Sequence, residues 1–348
     1  MTTQPSPDFL NFQADRIEAV LASHRVPARV QGGSVSPRWL RFLVAAAPGA
    51  KVSLVRNLSE EIAMALGADN VRIARDGHNL AVEVDRDDPE PILLLPMLRS
   101  LPSFPPHTAC LGLADDGRPL LLRLPSPDVT HVLVAGATGS GKTELMRAMA
   151  LSLALGNKQA QLQFALIDPK SRGFGPLSGL PHLVAPPALD AASALALLER
   201  LNAEMDRRDA DGVTLPRIVI LVDEVIDLLM VGGKPVEAAL TRIAQRGREA
   251  GMHLIVGAQK PASAALGAHL KANLPVRLVG RVGSVEDARV AAGVSASGAE
   301  KLSGRGDFIA VAGGQITRFQ SAYVPAHDWA EIAAEFHNWR RIIHRDRG

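Results

Sequence analysis

Gly136-Ala-Thr-Gly-Ser-Gly-Lys-Thr143 stands between the apolar run Thr130-His-Val-Leu-Val-Ala135 and the helix-forming stretch Glu144-Leu-Met-Arg-Ala-Met-Ala-Leu-Ser-Leu-Ala154. A strand, a glycine-rich turn and a helix in that order make a phosphate-binding loop of the Walker A type. The turn lets consecutive backbone N–H groups face an anion, and the helix N-terminus behind it favours negative charge. Gly136, Ala137, Thr138, Gly139, Ser140, Gly141, Lys142, Thr143 and Glu144 are therefore the candidate nucleotide-binding residues. Lys142 is expected to reach β- and γ-phosphate oxygens, and the Thr143 hydroxyl to face Mg²⁺. A nucleoside triphosphate is the expected ligand.

Downstream, strands and helices alternate. Gln163–Ile167, a helix from Asp190 to about Asp209, Arg217–Val222, a helix from Pro235 to Ala250, Met252–Gly257 and Val276–Arg281 follow in turn. Continuous apolar strands separated by helices predict a parallel sheet covered on both faces, hence an α/β fold of the RecA-like P-loop NTPase kind. The strand Arg217-Ile-Val-Ile-Leu-Val222 ends in Asp223-Glu224, a Walker B arrangement. Asp223 is placed to hold the Mg²⁺ shell and Glu224 to act as base for the attacking water, although adjacent acids after a strand also occur as a plain solvated turn. Gln259 follows another strand, either as a sensor of the γ-phosphate or as an exposed turn residue. Arg246 and Arg248 sit near a helix end, where cations suit the dipole. In a ring of identical subunits such an arginine can instead project into a neighbour's site. Asp168-Pro169-Lys170 and Arg172 belong to a loop open to phosphate contact or to solvent alone. Lys260 and Lys271 flank a segment rich in Ala, Ser and Gly, and are the candidate DNA-binding residues if that loop faces a pore.

The chain has 348 residues, 47% hydrophobic and 21% charged, enough for two compact units. A net charge of +2 excludes a uniformly basic nucleic-acid coat, so phosphate contacts must be local. The single Cys110 excludes an intramolecular disulfide and a cysteine metal cluster. No run approaches the ~20 apolar residues that span a bilayer, and the N-terminus lacks a leader pattern, so a soluble, cytoplasmic protein is expected. Phe9, Phe12, Ile17, Val20 and Leu21 mark a first amphipathic helix. The apolar runs Trp39–Ala45 and Val52–Val55 follow, then a helix from Asn57 with Glu60 as a capping box. Val71–Ala74 and Leu80–Val84 read as strands joined by Asp76-Gly77. Pro102, Pro105 and Pro106 read as a linker. The expected domains are a helix and linker over 1–34, a small α/β domain over 35–108, the ATPase over 109–325 and a basic helix or tail over 326–348.

Taken in order, the Walker A line, Leu166-Ile-Asp-Pro-Lys170, Gly179-Leu-Pro-His-Leu183, Val222-Asp-Glu, Ala244-Gln-Arg-Gly-Arg-Glu-Ala-Gly-Met-His-Leu254, Ala258-Gln-Lys-Pro261 and Leu270-Lys-Ala-Asn-Leu-Pro-Val-Arg277 resemble the motor of the FtsK/SpoIIIE DNA translocases. Gly298-Ala-Glu-Lys-Leu302 and Gly304-Arg-Gly-Asp-Phe308 resemble that family's ending. Ala47–Ser53 with Asn57-Leu58-Ser59 resembles the smaller domain before its motor. The likeness covers about residues 35 to 325. It implies a homo-oligomer, six subunits in a ring around double-stranded DNA, with ATP and Mg²⁺ between neighbours. By the same resemblance Arg248 acts in trans, and Lys260 and Lys271 fall on the pore-facing loop. The sequence departs from the family in showing no membrane anchor before the motor and no winged-helix module after it, which leaves membrane tethering and sequence reading open and a separate anchoring or specificity partner possible. Val285 stands where a lysine is common, and Lys260 where arginine is common, which keeps charge but loses a bidentate fork. Two other functions fit a motor of this kind: protein export, and an assembly module in which ATP only controls oligomerisation on DNA.

Overall fold

Ser6 and Pro7 start the first described helix, because the Ser6 hydroxyl accepts from the Phe9 N–H at 3.2 Å and Pro7 lacks an N–H that would have no helical partner. The structure, a computed structural model, describes residues 5–47, 49–68, 71–86, 89–259 and 266–344, so Lys260 and Pro261 lie outside the described residues. The chain divides into two units, residues 1–91 with 115–117, and residues 92–114 with 118–348.

The first unit contains α1 (Pro7–Ser23), β1 (Ala28–Val35), β2 (Trp39–Ala46), α2 (Val52–Arg56), α3 (Ser59–Leu66), β3 (Val71–Asp76) and β4 (Asn79–Asp85). Its strands form an antiparallel sheet in the order β1-β2-β4-β3. Leu40, Phe42 and Val44 alternate with Leu80, Val82 and Val84 toward one core, which Ile17, Leu21 and Ile62 complete from the helices. Asn57 is not the first residue of a capping box. It closes α2 with helical φ −72° and ψ −12°, its N–H bonded to the Ser53 carbonyl, so it cannot take the extended geometry of an N-cap.

The second unit opens with β5 (Ile92–Leu93), α4 (Leu94–Ser100), β6 (Thr108–Ala114) and β7 (Pro119–Arg123), ahead of β8 (Val132–Ala135) and α5 (Lys142–Gly156). β9 (Leu162–Ile167), α6 (Ala191–Asp211), β10 (Arg217–Val222), α7 (Val225–Arg246), β11 (Met252–Ala258), α8 (Ala268–Ala272), β12 (Val276–Gly280) and α9 (Val285–Ala292) follow. The hairpin β13 (Asp307–Ala312) and β14 (Gln315–Tyr323) and the helix α10 (Ala326–His344) end it. One sheet runs β7-β6-β14-β13-β12-β8-β11-β10-β9, with β5 beside β14. The strands from β12 to β9 are parallel, as the apolar runs predict, whereas those from β13 to β7 are antiparallel and extend the sheet beyond the expected fold. The proline-bearing stretch is part of this unit rather than a linker. Ile92–Leu93 pairs with Ala322–Tyr323, and Phe104 packs so closely on Gly156 that a methyl there would stand 2.8 Å from its ring. The helix expected over 235–250 is the second half of α7, set off by a break at Gly233 and ended at Arg246. In α10, Ile332 and Phe336 are buried, Phe336 edge-on to His182.

Val132 and Val134 face one core with Leu145 and Met149 of α5, while Leu133 and Ala135 face the other with α6 and α7 residues such as Leu198 and Leu240. β8 is thus buried on both faces, the reason its sequence is continuously apolar. β11 flanks it on one side and β12 on the other, and the carboxyl ends Ala135, Ala258 and Val279 lie in register. The loops leaving them converge on one edge, where open α/β sheets bind ligands.

Candidate functional site

Leaving β8, the chain turns through Gly136–Gly141 and enters α5. Gly141 has φ 97°, and a methyl there would stand 2.9 Å from the Gly306 nitrogen, so both conformation and space demand glycine. The N–H groups of Gly136, Ala137 and Ser140 are bonded to the carbonyls of Ala258, Arg281 and Ala137 at 3.2, 2.8 and 3.0 Å. Those of Thr138, Gly139, Gly141, Lys142, Thr143 and Glu144 donate to no described residue. Unbonded donors at the start of a helix form an anion cradle.

Lys142 is buried beneath this cradle. Its Nζ contacts Asp223 Oδ1 and lies 2.7 Å from Glu224 Oε1. Gly257 on β11 makes the room: a methyl there would stand 2.9 Å from Lys142 Nζ and 3.2 Å from Asp223 Oδ1. Glu224 sits in the left-handed region with φ 51° and ψ 56°, a strained conformation for a residue with a side chain, and strain of this kind collects at functional sites. The tight turn brings its carboxylate to Lys142 on one side and Gln259 on the other. Gln259 Nε2 donates to Glu224 Oε1 at 2.8 Å, and Thr138 Oγ1 donates to Gln259 Oε1 at 3.4 Å. The fold therefore brings together Lys142, Asp223, Glu224 and Gln259 beside the loop that carries Thr143.

This donor set fits a triphosphate, with free N–H groups for its oxygens and an ammonium held ready by carboxylates. Among the described residues no three His, Cys, Asp or Glu side chains form a metal cage. Mg²⁺ does not need one, since it takes one or two protein ligands and completes its shell with phosphate and water.

Two supports of the site escaped the sequence reading. Asp168 is buried, and its carboxylate accepts from the N–H groups of Gly173 and Phe174 at 2.8 and 2.9 Å. Arg147 of α5 donates to the carbonyls of Arg172 and Gly173 and pairs with Glu144 at 2.6 Å. Together they press Gly173 against the Asp223 carboxylate, where a methyl would collide. Asp168 thus organises the Asp-Pro-Lys loop instead of meeting solvent. On the other side, Arg305 N donates to Gly139 O at 3.0 Å and Gly306 N to Ser140 O at 2.8 Å, so the segment before β13 braces the loop apex. Below it Asp307 and Arg318 form a buried ion pair at 2.8 Å. Nothing in the spacing of these residues points to contact with a loop more than 160 positions earlier.

The remaining candidates lie apart. Arg248 is exposed beside the amino end of β11, the sheet edge opposite the loop; its carbonyl accepts from Gly251 N at 3.1 Å, and its guanidinium forms no hydrogen bond or ion pair with a described residue. Arg246 pairs with Asp209 at 2.7 Å and Asp206 at 3.4 Å. Lys170 pairs with Asp227, a hydrogen bond that raises its pKa, and Arg172 is exposed. Lys271 is half-buried on α8, and burial followed by the nearby Arg277 lowers its pKa. At the amino edge of the sheet His253 Nδ1 meets Thr130 O at 3.0 Å, leaving Nε2 to accept from Arg217 at 3.2 Å. Leu254 N donates to His131 Nδ1 at 2.9 Å. Burial holds both imidazoles neutral, at about 4 for His253 and about 3 for His131.

Comparison with known proteins gives one consistent likeness. Residues 105–212 and 209–263 match the FtsK/SpoIIIE family, and residues 1–84 match the FtsK alpha domain. The DNA translocase FtsK of Lactiplantibacillus plantarum is 32% identical over 95% of this chain and 45% of its own length. The DNA translocase SftA of Bacillus subtilis is 34% identical over 92% of this chain and 36% of its own. The chain thus spans less than half the length of these relatives. Among solved structures, the conjugation coupling protein TcpA of pCW3 with ATPγS aligns over 94% of this chain and 99% of its own, with TM-score 0.61 and 17% identity, a likeness of fold. The cytoplasmic domain of the Type VII secretion ATPase EccC of Thermomonospora curvata aligns over 68% of this chain and 32% of its own, with TM-score 0.58 and 27% identity.

Proposed function

The chain belongs to the FtsK/SpoIIIE family, and from that membership we propose that it is an ATPase that drives movement along double-stranded DNA, working as a cytoplasmic ring of identical subunits. Lys142 exchanges its carboxylate partners for β- and γ-phosphate oxygens, and the free N–H groups of the loop hold the phosphates. Thr143 and Asp223 are the residues suited to Mg²⁺, which neutralises phosphate charge when bound. Glu224, released from Lys142, accepts a proton from the attacking water, and Gln259, bonded to Glu224, couples the base to the γ-phosphate. The observation that carries this reading is the meeting of Lys142, Asp223, Glu224 and Gln259 at one loop. Arg248, exposed and distant from its own loop, suits a role at a neighbour's nucleotide, worth on the order of 10³ in rate where such arginines act. Lys260 and Lys271 are the DNA contacts, made to phosphates and so with little choice of sequence. Among the described residues no helix is long and apolar enough to cross a membrane.

ATP turnover with and without linear duplex tests this. Stimulation by duplex that is lost in the Lys260→Ala, Lys271→Ala double variant supports the reading. Turnover indifferent to duplex sinks it. The likeness to a secretion ATPase favours a second reading, a motor that moves polypeptide, and a turnover raised by an export-substrate peptide but not by duplex would select it.

A further inference from the structure

Arg217, the first residue of β10, is half-buried at the edge of the sheet opposite the phosphate loop, and it pairs with no carboxylate of the described residues. Its Nη1 donates to His253 Nε2 at 3.2 Å, and its Nε is buried without a partner. His253 accepts that bond as a neutral ring, because its Nδ1 is turned to Thr130 O at 3.0 Å. The guanidinium is thus positioned without being neutralised. Arg208 and Arg318, buried in the same unit, are instead paired with Glu204 at 2.7 Å and Asp307 at 2.8 Å.

A second unneutralised cation is tied to the same place. Arg123 ends β7 opposite Thr108 of β6, is exposed, and its guanidinium forms no hydrogen bond or ion pair with a described residue. The next residue, Leu124, donates its N–H to His107 O at 2.9 Å. His107 Nε2 in turn meets Gln161 O at 3.2 Å, the carbonyl that also accepts from Arg217 N at 2.9 Å. His107 holds φ 57°, a strained conformation for a residue with a side chain, at the turn that links the two arginines. Burial, and after it the Arg123 charge, lowers the pKa of Arg217. Arg248 completes the group, since its charge acts on His253 together with that of Arg217. Asp128 and Glu249, the acids closest along the chain to Arg123 and Arg248, pair with none of them. Positive charge gathered without a counter-charge repels itself, and an anion removes that cost. Guanidinium forks in particular suit the oxygens of a phosphate.

We propose that Arg123 and Arg217 form, beside Arg248, a phosphate site at the amino edge of the sheet, and that its occupant is the terminal phosphate of the nucleotide held by the next subunit. This rests on the reading of a ring in which Arg248 acts at its neighbour's nucleotide. In such a ring the amino edge of one subunit meets the loop edge of the next, so the anion brought to these arginines is nucleotide phosphate. Arg217 and Arg123 then hold charge that Arg248 alone would have to meet.

ATP turnover by full-length variants, alone and mixed, tests the proposal. Arg217→Ala and Arg123→Ala should each lower turnover without duplex by about ten- to a hundredfold, the worth of one charge-assisted hydrogen bond. Each is then mixed with Lys142→Ala chains, whose own loop is disabled but whose arginines are intact. In a one-to-one mixture roughly a quarter of the boundaries of a head-to-tail ring join a working loop to intact arginines. Turnover of the mixture should therefore climb well above the mean of its two components. Arg248→Ala mixed in the same way is the reference. Recovery with Arg248→Ala but with neither new variant overturns the proposal, and so does turnover within twofold of the parent for both. A loss confined to the duplex-stimulated rate assigns the two arginines to DNA and likewise overturns it. Failure of the Arg248→Ala reference to recover removes the reading beneath as well. The Arg123 side chain bonds to nothing in the fold, so Arg123→Ala keeps the test valid should Arg217→Ala melt early.

Discussion

Gly257→Ala separates the stability of the fold from the readiness of Lys142. Nothing in the backbone opposes the change, since Gly257 lies inside β11 and alanine in a strand interior gains roughly 0.5–1 kcal/mol over glycine. The new methyl would stand 2.9 Å from Lys142 Nζ, 3.0 Å from Met146 Sδ and 3.2 Å from Asp223 Oδ1. All three are ends of side chains, so they can move. Crowding of this size costs about 1–3 kcal/mol and leaves a net destabilisation of about 0–2.5 kcal/mol. At about 2–4 °C per kcal/mol for a unit of this size, the melting temperature should fall by no more than ~10 °C. Nucleotide binding should suffer far more. Displacing Lys142 forfeits a charge-assisted contact worth about 1.5–3 kcal/mol, a loss of roughly ten- to a hundredfold in affinity. Thermal melting and titration with mant-ATP read the two effects on one sample. A variant that melts several degrees lower yet binds nucleotide within twofold of the parent would refute the claim that Gly257 exists to make room for the ammonium.

Glu224→Gln should bind ATP at least as well as the parent while steady-state turnover falls by roughly 10²–10⁴, the usual worth of a positioned base. Retention of a tenth of the turnover would assign proton removal elsewhere. Asp307→Asn leaves the buried Arg318 uncompensated and should destabilise the second unit by about 3–5 kcal/mol in denaturant unfolding; a loss under 1 kcal/mol would show that this pair does not brace the loop. The buried histidines set a pH dependence. Folded His253 and His131 titrate at about 4 and about 3, below the ordinary 6.5, so the unfolded chain binds more protons between those limits. Stability from these groups is whole above pH 6.5 and is lost as pH falls toward 4. His253→Gln should reduce that slope by up to about 1.4 kcal/mol per pH unit, measured as unfolding free energy between pH 6.5 and 5. An unchanged slope would exclude His253 as a source.

Sequence carried the parts of the site that are local. Gly136–Thr143 shows its conformation through its glycines, and Asp223-Glu224 shows its place through the apolar strand before it. Gln259 stands out in the sequence because it too ends a strand. Contacts made by folding were hidden. Gly257 reads as a plain strand residue until Lys142 is seen beside it. The Asp168-Pro169-Lys170 loop reads equally as a phosphate contact or as solvated chain until the Asp168 carboxylate is seen taking the backbone N–H groups of Arg172, Gly173 and Phe174. The antiparallel half of the sheet was equally hidden, because Thr108–Ala114 and Gln315–Tyr323 lie two hundred residues apart and neither announces its partner. Asn57 misled for a different reason. A capping box needs extended backbone at its first residue, and the preceding turn of α2, unseen in the short run Val52–Val55, had already made that position helical.

Everything functional in this account depends on nucleotide cleavage at the loop being turned into motion along DNA. Displacement of a third strand annealed at one end of a linear duplex, followed with ATP present, measures that conversion directly. The chain should strip the strand only when ATP is supplied, Glu224→Gln should leave it in place, and the rate should fall as salt screens the phosphates. ATP consumed at full rate with the strand still annealed would contradict the account.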